Sequence, residues 1–343
     1  TFLLYFTGCI FFFLLARQLT KNDMLACMGT AMFVLSPHIL ANSLYNIKDI
    51  PFLSIFIVNL YCAIRFLRKP VFLNIALLGI VSALCTNTRI IGGIVIFICL
   101  LSYLADKTRY QTFSKALAVC LLCGLVCFAF YILITPVTWQ SPVHAIIETL
   151  RTFSSFNVYR FNNYFMGTML DGAELPWYYL PVWIGMTTPV IYLILFFIGL
   201  LYTMASAIRH RKNLSLYTEK LFLFFTIAIP LGYVFIKTPI LYNGWRHFYF
   251  IYSVLILFAL LGLQYLLRRW QRLQKIFCGF MALYFLSLVV WIGRNHPAEY
   301  VYFNYPSRTY ANANMDKDYW NVGAASSIEY LLAHSTQDPL SVV

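Results

Sequence analysis

Charge is scarce in this chain. Only 11% of its 343 residues are Asp, Glu, Lys or Arg, against roughly a quarter in an ordinary soluble domain. That scarcity, with 61% hydrophobic residues, excludes a soluble globular protein. Ten stretches, 1–16, 24–40, 50–64, 71–85, 90–105, 116–134, 181–208, 221–236, 248–267 and 276–293, carry no charged residue. Most run 15 to 20 residues, enough for a helix to cross a hydrocarbon core of about 30 Å. Cysteine is missing from every connecting segment, since all nine Cys residues fall inside apolar stretches. This excludes a disulfide framework in outer loops. Cys120, Cys123 and Cys127 share one helix face, but no second ligand pair accompanies them and packing is the better reading. There is no basic domain of the kind nucleic-acid binding needs, and no initiator Met or basic leader ahead of the first apolar stretch. Internal repeats and low-complexity tracts are also missing.

The charges that do occur are distributed unevenly. Alternate connecting segments, 17–23, 65–70, 106–115, 209–220 and 268–275, hold 16 of the 25 Lys and Arg residues but 3 of the 12 acidic ones. The remaining connections hold 9 of each, so the whole net charge of +13 sits on one side. Basic residues gather on the inner face of a membrane, where anionic lipid head groups are their simplest partners. Residue 1 then begins outside, which implies an odd number of earlier spans in a chain that starts inside. One span followed by an outer loop is the simplest expectation. The last residue is outside as well, and the expected location is the inner (plasma) membrane.

Two outer segments are long enough to be structured, 135–180 and 294–343. In the first, Ser141-Pro142 opens a helix whose apolar face is Val143, Ile146, Ile147, Leu150 and Phe153, opposite His144, Glu148 and Arg151. That pattern fits a helix lying on the outer membrane surface. In the second, Ser326 and Glu329 form a capping box ahead of Tyr330-Leu331-Leu332.

Charged residues at the outer ends of spans are the candidates for chemistry, because burial there is costly unless the charge is paired or used. Asn46-Ile47-Lys48-Asp49 places a carboxylate and an ammonium at a helix start, where Asp49 is either a cap or a working acid. Arg89, between two short spans, can grip a phosphate in bidentate geometry or snorkel to the interface. Trp245-Arg246-His247 combines an indole, a cation and an imidazole within three residues, more than an aromatic belt requires.

Four motifs in series carry a family resemblance: Ser36-Pro37-His38 through Asn46-Ile47-Lys48-Asp49-Ile50-Pro51, Pro176-Trp177-Tyr178-Tyr179-Leu180-Pro181, Asn243-Gly244-Trp245-Arg246-His247 with Tyr249-Phe250, and His296-Pro297 to Tyr302-Phe303-Asn304 with Asp318-Tyr319-Trp320. The chain resembles, over nearly its whole length, bacterial members of the dolichyl-phosphate-mannose protein mannosyltransferase-like superfamily. These are GT-C membrane glycosyltransferases, among them the aminoarabinose transferase that modifies lipid A.

The resemblance implies an all-α, polytopic bundle of about ten spans. Residues 1–293 would form the transferase domain and 294–343 an extracytoplasmic segment. It implies transfer of a sugar from a polyprenyl-phosphate donor to a protein, lipid or glycan acceptor outside, without a nucleotide-sugar site. It implies no certain cofactor and leaves a divalent cation open. The family's principal catalytic Asp lies in a first outer loop that this sequence does not contain, so the chain alone is expected to be inactive. Asp49 matches a second acidic position and is the catalytic candidate here. Lys48, Arg89, Arg246 and His247 are assigned to phosphate by position and chemistry, and Trp245 and Asn46 complete the substrate-binding set. The rivals are a transporter of a lipid-linked or small solute and a scaffold whose outer parts bind glycan.

Overall fold

A computed structural model describes residues 1–106, 112–154 and 161–334. It is nearly all helical: α1 (Phe2–Thr20), α2 (Asp23–Val34), α3 (Pro37–Tyr45), α4 (Asp49–Arg68), α5 (Phe72–Thr88), α6 (Gly93–Ala105), α7 (Phe113–Ile134), α8 (Pro142–Ser154), α9 (Tyr179–Thr187), α10 (Val190–Arg209), α11 (Thr218–Lys237), α12 (Tyr249–Arg269), α13 (Gln274–Asn295), α14 (Arg308–Asn314) and α15 (Ala324–His334). Long apolar segments take this form because a helix satisfies its backbone polar groups internally where no water can.

Among the described residues, seven helices are long and apolar enough to cross a membrane, or eight if the bent α2–α3 pair is one span. The ten apolar stretches therefore overcount the long helices. Residues 24–40 fold not as one rod but as α2 and α3, inclined at 65°. Pro37 opens α3; it has no N–H to continue the preceding helix and its ring clashes with the carbonyl four residues back. The stretch 181–208 likewise breaks at Thr188-Pro189 between α9 and α10. The expected split near Arg89 is present, with α5 ending at Thr88 and α6 beginning at Gly93. Part of the inner segment 106–115, at 107–111, lies outside the described residues.

α12 is the axis of the bundle, with 94% of its span buried, and α4 follows at 72%. A helix apolar on every side belongs in such a position. α7 and α13, only 11% buried, form the periphery. α10 crosses α12 backbone against backbone: a Cβ on Gly199 would run into the Phe258 carbonyl oxygen, and one on Gly262 into that of Leu195. Small residues permit such approaches between membrane helices.

Four of the five segments read as inner are bonded together at one end, and the helix leading into the fifth joins them there. Arg68 grips Glu219 with two bonds of 2.8 Å and donates to the Gln18 carbonyl. Gln264 bonds the Thr20 carbonyl at 2.9 Å, and Thr218 bonds Asp106 at 2.7 Å.

The opposite end carries a small layer that the all-α expectation lacked. β1 (Asn162–Phe165) and β2 (Thr168–Asp171) pair antiparallel, with Phe165 opposite Thr168. The connecting Met166 and Gly167 have φ of 51° and 82°, both left-handed as a tight hairpin turn requires. This hairpin ties two distant segments together, since Leu241 N–H bonds Gly172 O at 3.1 Å and Asp316 N–H bonds Tyr164 O at 2.9 Å. The expected capping box is displaced. α15 starts at Ala324, with Ser326 already inside it, and Asp318 accepts the Val322 and Gly323 N–H groups just ahead.

Candidate functional site

The site begins at the start of α4. Asn46 is fully buried; its side-chain oxygen accepts the Lys48 and Asp49 N–H groups at 3.2 and 2.9 Å, while its amide donates to Asp49 Oδ2 at 2.9 Å. Asn46 thus supplies the helix-capping oxygen, and Asp49 does not cap with its side chain. The other Asp49 oxygen, Oδ1, forms an ion pair with Arg89. Asp49 is 3% exposed, so its charge is tolerated there because both oxygens are engaged.

Arg89 stands between Asp49 and a cavity of about 1100 Å³ at the hairpin end of the bundle. The cavity's polar wall carries Arg89, Lys237 and His247, with His144 and Glu148 contributed by α8. Its apolar wall includes Ile91, Tyr131 of α7, Pro230 and Tyr233 of α11, and Phe248 and Phe250. Pro230 lies seven residues before Lys237 along α11, or about 10 Å of helix rise, so the cavity runs from charged groups down toward apolar ones. Asp49 is not on this wall, and Lys48 is exposed elsewhere.

His247 and Arg246 are neighbours in sequence but occupy different surroundings. The His247 ring sits edge-on to Tyr242, 4.8 Å between centroids, on the cavity side. Arg246 is 8% exposed, its guanidinium over the rings of Tyr242 at 4.6 Å, Tyr319 at 4.4 Å and Trp320 at 5.6 Å. Arg246 forms no ion pair among the described residues. Its role in the geometry is to pin the 316–320 segment onto the outer layer by cation–π attraction. Trp245 is core: 1% exposed, its indole N–H bonded to Thr187 Oγ1 at 2.8 Å and its ring against Tyr249.

The ordered layer around these residues rests on neutral phenols. Tyr179 donates to Asn163 Oδ1 at 3.2 Å and accepts the Gly244 N–H at 3.0 Å. Tyr300 donates to Asn243 Oδ1 at 3.4 Å and accepts the Tyr319 N–H at 3.3 Å. Burial raises the pKa of both phenols above the ordinary value, so they remain protonated donors at physiological pH. Asn243 and Gly244, both at positive φ, make the turn just ahead of Arg246, whose partner Tyr319 is the residue that Tyr300 holds by its N–H.

The structure therefore brings Arg89 and His247 to one cavity and Asn46 and Asp49 behind it, while Lys48, Trp245 and Arg246 stand off its wall. Lys237, His144 and Glu148 line the cavity, and sequence reasoning did not single them out as site residues. Lys237 was legible only as a charge at the end of a span, and His144 and Glu148 only as part of a helix's polar face. Among the described residues no three His, Cys, Asp or Glu side chains are grouped to hold a metal ion. Compared with protein-family models and with curated proteins, the chain matches none.

Proposed function

We propose that the protein is a membrane glycosyltransferase that moves a sugar from a polyprenyl-phosphate donor to an acceptor on the extracytoplasmic side. The observation that carries this reading is the two-part cavity, with Arg89, Lys237 and His247 above an apolar wall between α7 and α11. A lipid phosphate has the same two parts, an anionic head and a hydrocarbon tail. In the reaction an acceptor hydroxyl gives its proton to a carboxylate and attacks the anomeric carbon. The bond to the lipid phosphate breaks, and the departing phosphate keeps the electron pair and is stabilised by cations. Arg89, Lys237 and His247 are suited to that stabilisation, and Asp49 acts through Arg89. In the same reading α5, α6 and the bent α2–α3 pair join the seven long helices as passages of a GT-C bundle in the inner membrane.

In the full-length protein, Lys237→Ala should reduce sugar transfer from a polyprenyl-phosphate donor by about 30- to 1000-fold, the roughly 2 to 4 kcal/mol of a charge-assisted contact to a desolvated phosphate. Arg272→Ala, at the far end, should leave transfer unchanged. Equal activity of the two variants would remove the cavity from the reaction.

Sidedness has its own test. Asn312 and Asn213 are both exposed and lie at opposite ends of the bundle. In a Cys27→Ser background, which removes an exposed native thiol, a membrane-impermeant thiol reagent added to intact cells should modify Asn312→Cys and spare Asn213→Cys. The reverse pattern would invert the topology.

A further inference from the structure

The helix α8 has two faces with different surroundings. His144, Glu148 and Thr152, four residues apart, line the cavity. On the opposite side Val143, Ile147 and Leu150 are 65%, 43% and 50% exposed and cover no part of the protein core. Three apolar side chains turned outward at helical spacing are costly in water, and the geometry around them indicates what covers them.

α8 follows α7, the long apolar helix that is only 11% buried and so faces lipid. The connection is short and compact, folded as a 3-10 turn at Pro136–Thr138, so it cannot carry α8 far from the end of the span. Within it, Trp139 donates its indole N–H to the Ile132 carbonyl at 2.9 Å and is 62% exposed. That places an amphipathic ring over the last turn of α7, the level at which Trp marks a membrane surface. Leu133, 64% exposed on the last turn of α7 and off the cavity wall, adds a further outward apolar side chain beside it.

We propose that α8 is seated in the lipid interface and that the bilayer itself holds this wall of the cavity in place. The occupant of the outer face is the head-group and upper acyl region of the outer leaflet, into which such helices sink about 5–10 Å. The inner face then closes on the cavity with His144 and Glu148, so access from outside depends on how firmly α8 is held by lipid. This arrangement stands apart from the assignment of sugar transfer, and holds for any ligand of the cavity.

The test uses the full chain in phosphatidylcholine–phosphatidylglycerol vesicles. A ketone-bearing amino acid is placed singly at Val143, Ile147, Leu150 or Thr152 and coupled to a nitroxide, which avoids the native thiols. At Val143, Ile147 and Leu150 the nitroxide should meet oxygen, enriched in the bilayer, more often than a water-soluble nickel chelate, whereas at Thr152 the chelate should dominate. Adding Ile147→Asp should lift the helix and increase chelate access at Thr152 several-fold, with the rest of the fold preserved by circular dichroism and thermal unfolding. Chelate dominance at all three outward positions would put the helix in water and overturn the proposal. Exclusion of both reagents there would assign the face to another protein surface and overturn it equally. Unchanged access at Thr152 on addition of Ile147→Asp would show that protein contacts alone hold the wall.

Discussion

Replacing Asp49 with Ala is expected to lower stability by about 3 kcal/mol, because it strands the Arg89 guanidinium in a mostly buried position. The lower end of the range for broken buried pairs applies, since the Arg89 side chain is 25% exposed while that of Asp49 is 2% exposed. Arg89→Ala should cost as much or more, for it leaves a buried carboxylate with Asn46 as its remaining partner. The double variant should be less damaged than the sum of the two, with a coupling of about 1 to 3 kcal/mol in a double-mutant cycle followed by unfolding in detergent. Additive losses would mean that the pair does not form. The conservative change Asp49→Asn separates two roles in transfer. A carboxylate acting only through Arg89 raises the donor KM when lost, whereas a working base lowers kcat, by about a hundredfold.

The second large effect is expected at the α10–α12 crossing. Gly262→Val should prevent the two backbones from meeting, because the obstructing atoms at Leu195 and Gly199 are main-chain atoms that no rotamer change can move. A loss above about 3 kcal/mol is expected, beyond the usual cost of overpacking with side chains alone, and should appear as little folded protein in membranes. Gly279→Ala on α13, where a new Cβ meets nothing within 4 Å, is the matching control and should fold normally. Normal expression and unfolding of Gly262→Val would show that the helices cross elsewhere.

The helices were legible wherever a long uncharged run had charged flanks, because the bilayer leaves such a run few alternatives. The sequence reading failed where one run held two helices. Pro37 and Pro189 both sit inside apolar stretches, and hydropathy is blind to the direction the chain takes after them. The hairpin escaped for a local reason: its turn is Met166-Gly167, and Met at a left-handed position lacks the Asn or Asp that normally announces such a turn. The partnership of Asp49 with Arg89, 40 residues apart, is a tertiary fact. Each residue stood out singly as a charge at a helix end, but only the fold shows that one holds the other. Arg246 was equally visible, yet its aromatic surroundings come from Tyr242, Tyr319 and Trp320, two of them more than 70 positions away.

The axial place of α12 also bears on how the chain is made. α1, α2 and α4 all pack against it, although they leave the ribosome some two hundred residues earlier. Until α12 follows, the Ser36 hydroxyl, which donates to the Met32 carbonyl in its own segment, lacks its second partner Tyr252 at 2.6 Å, and the carbonyl of Thr20 lacks Gln264. The first helices, which pack on one another through the α1–α2 and α1–α4 contacts, would therefore wait in the membrane with the face that α12 covers still open. Chains interrupted before residue 249 would keep that face open, exposed to the proteases that clear unassembled membrane segments, and the cavity would be completed only once Phe248 and Phe250 are in place.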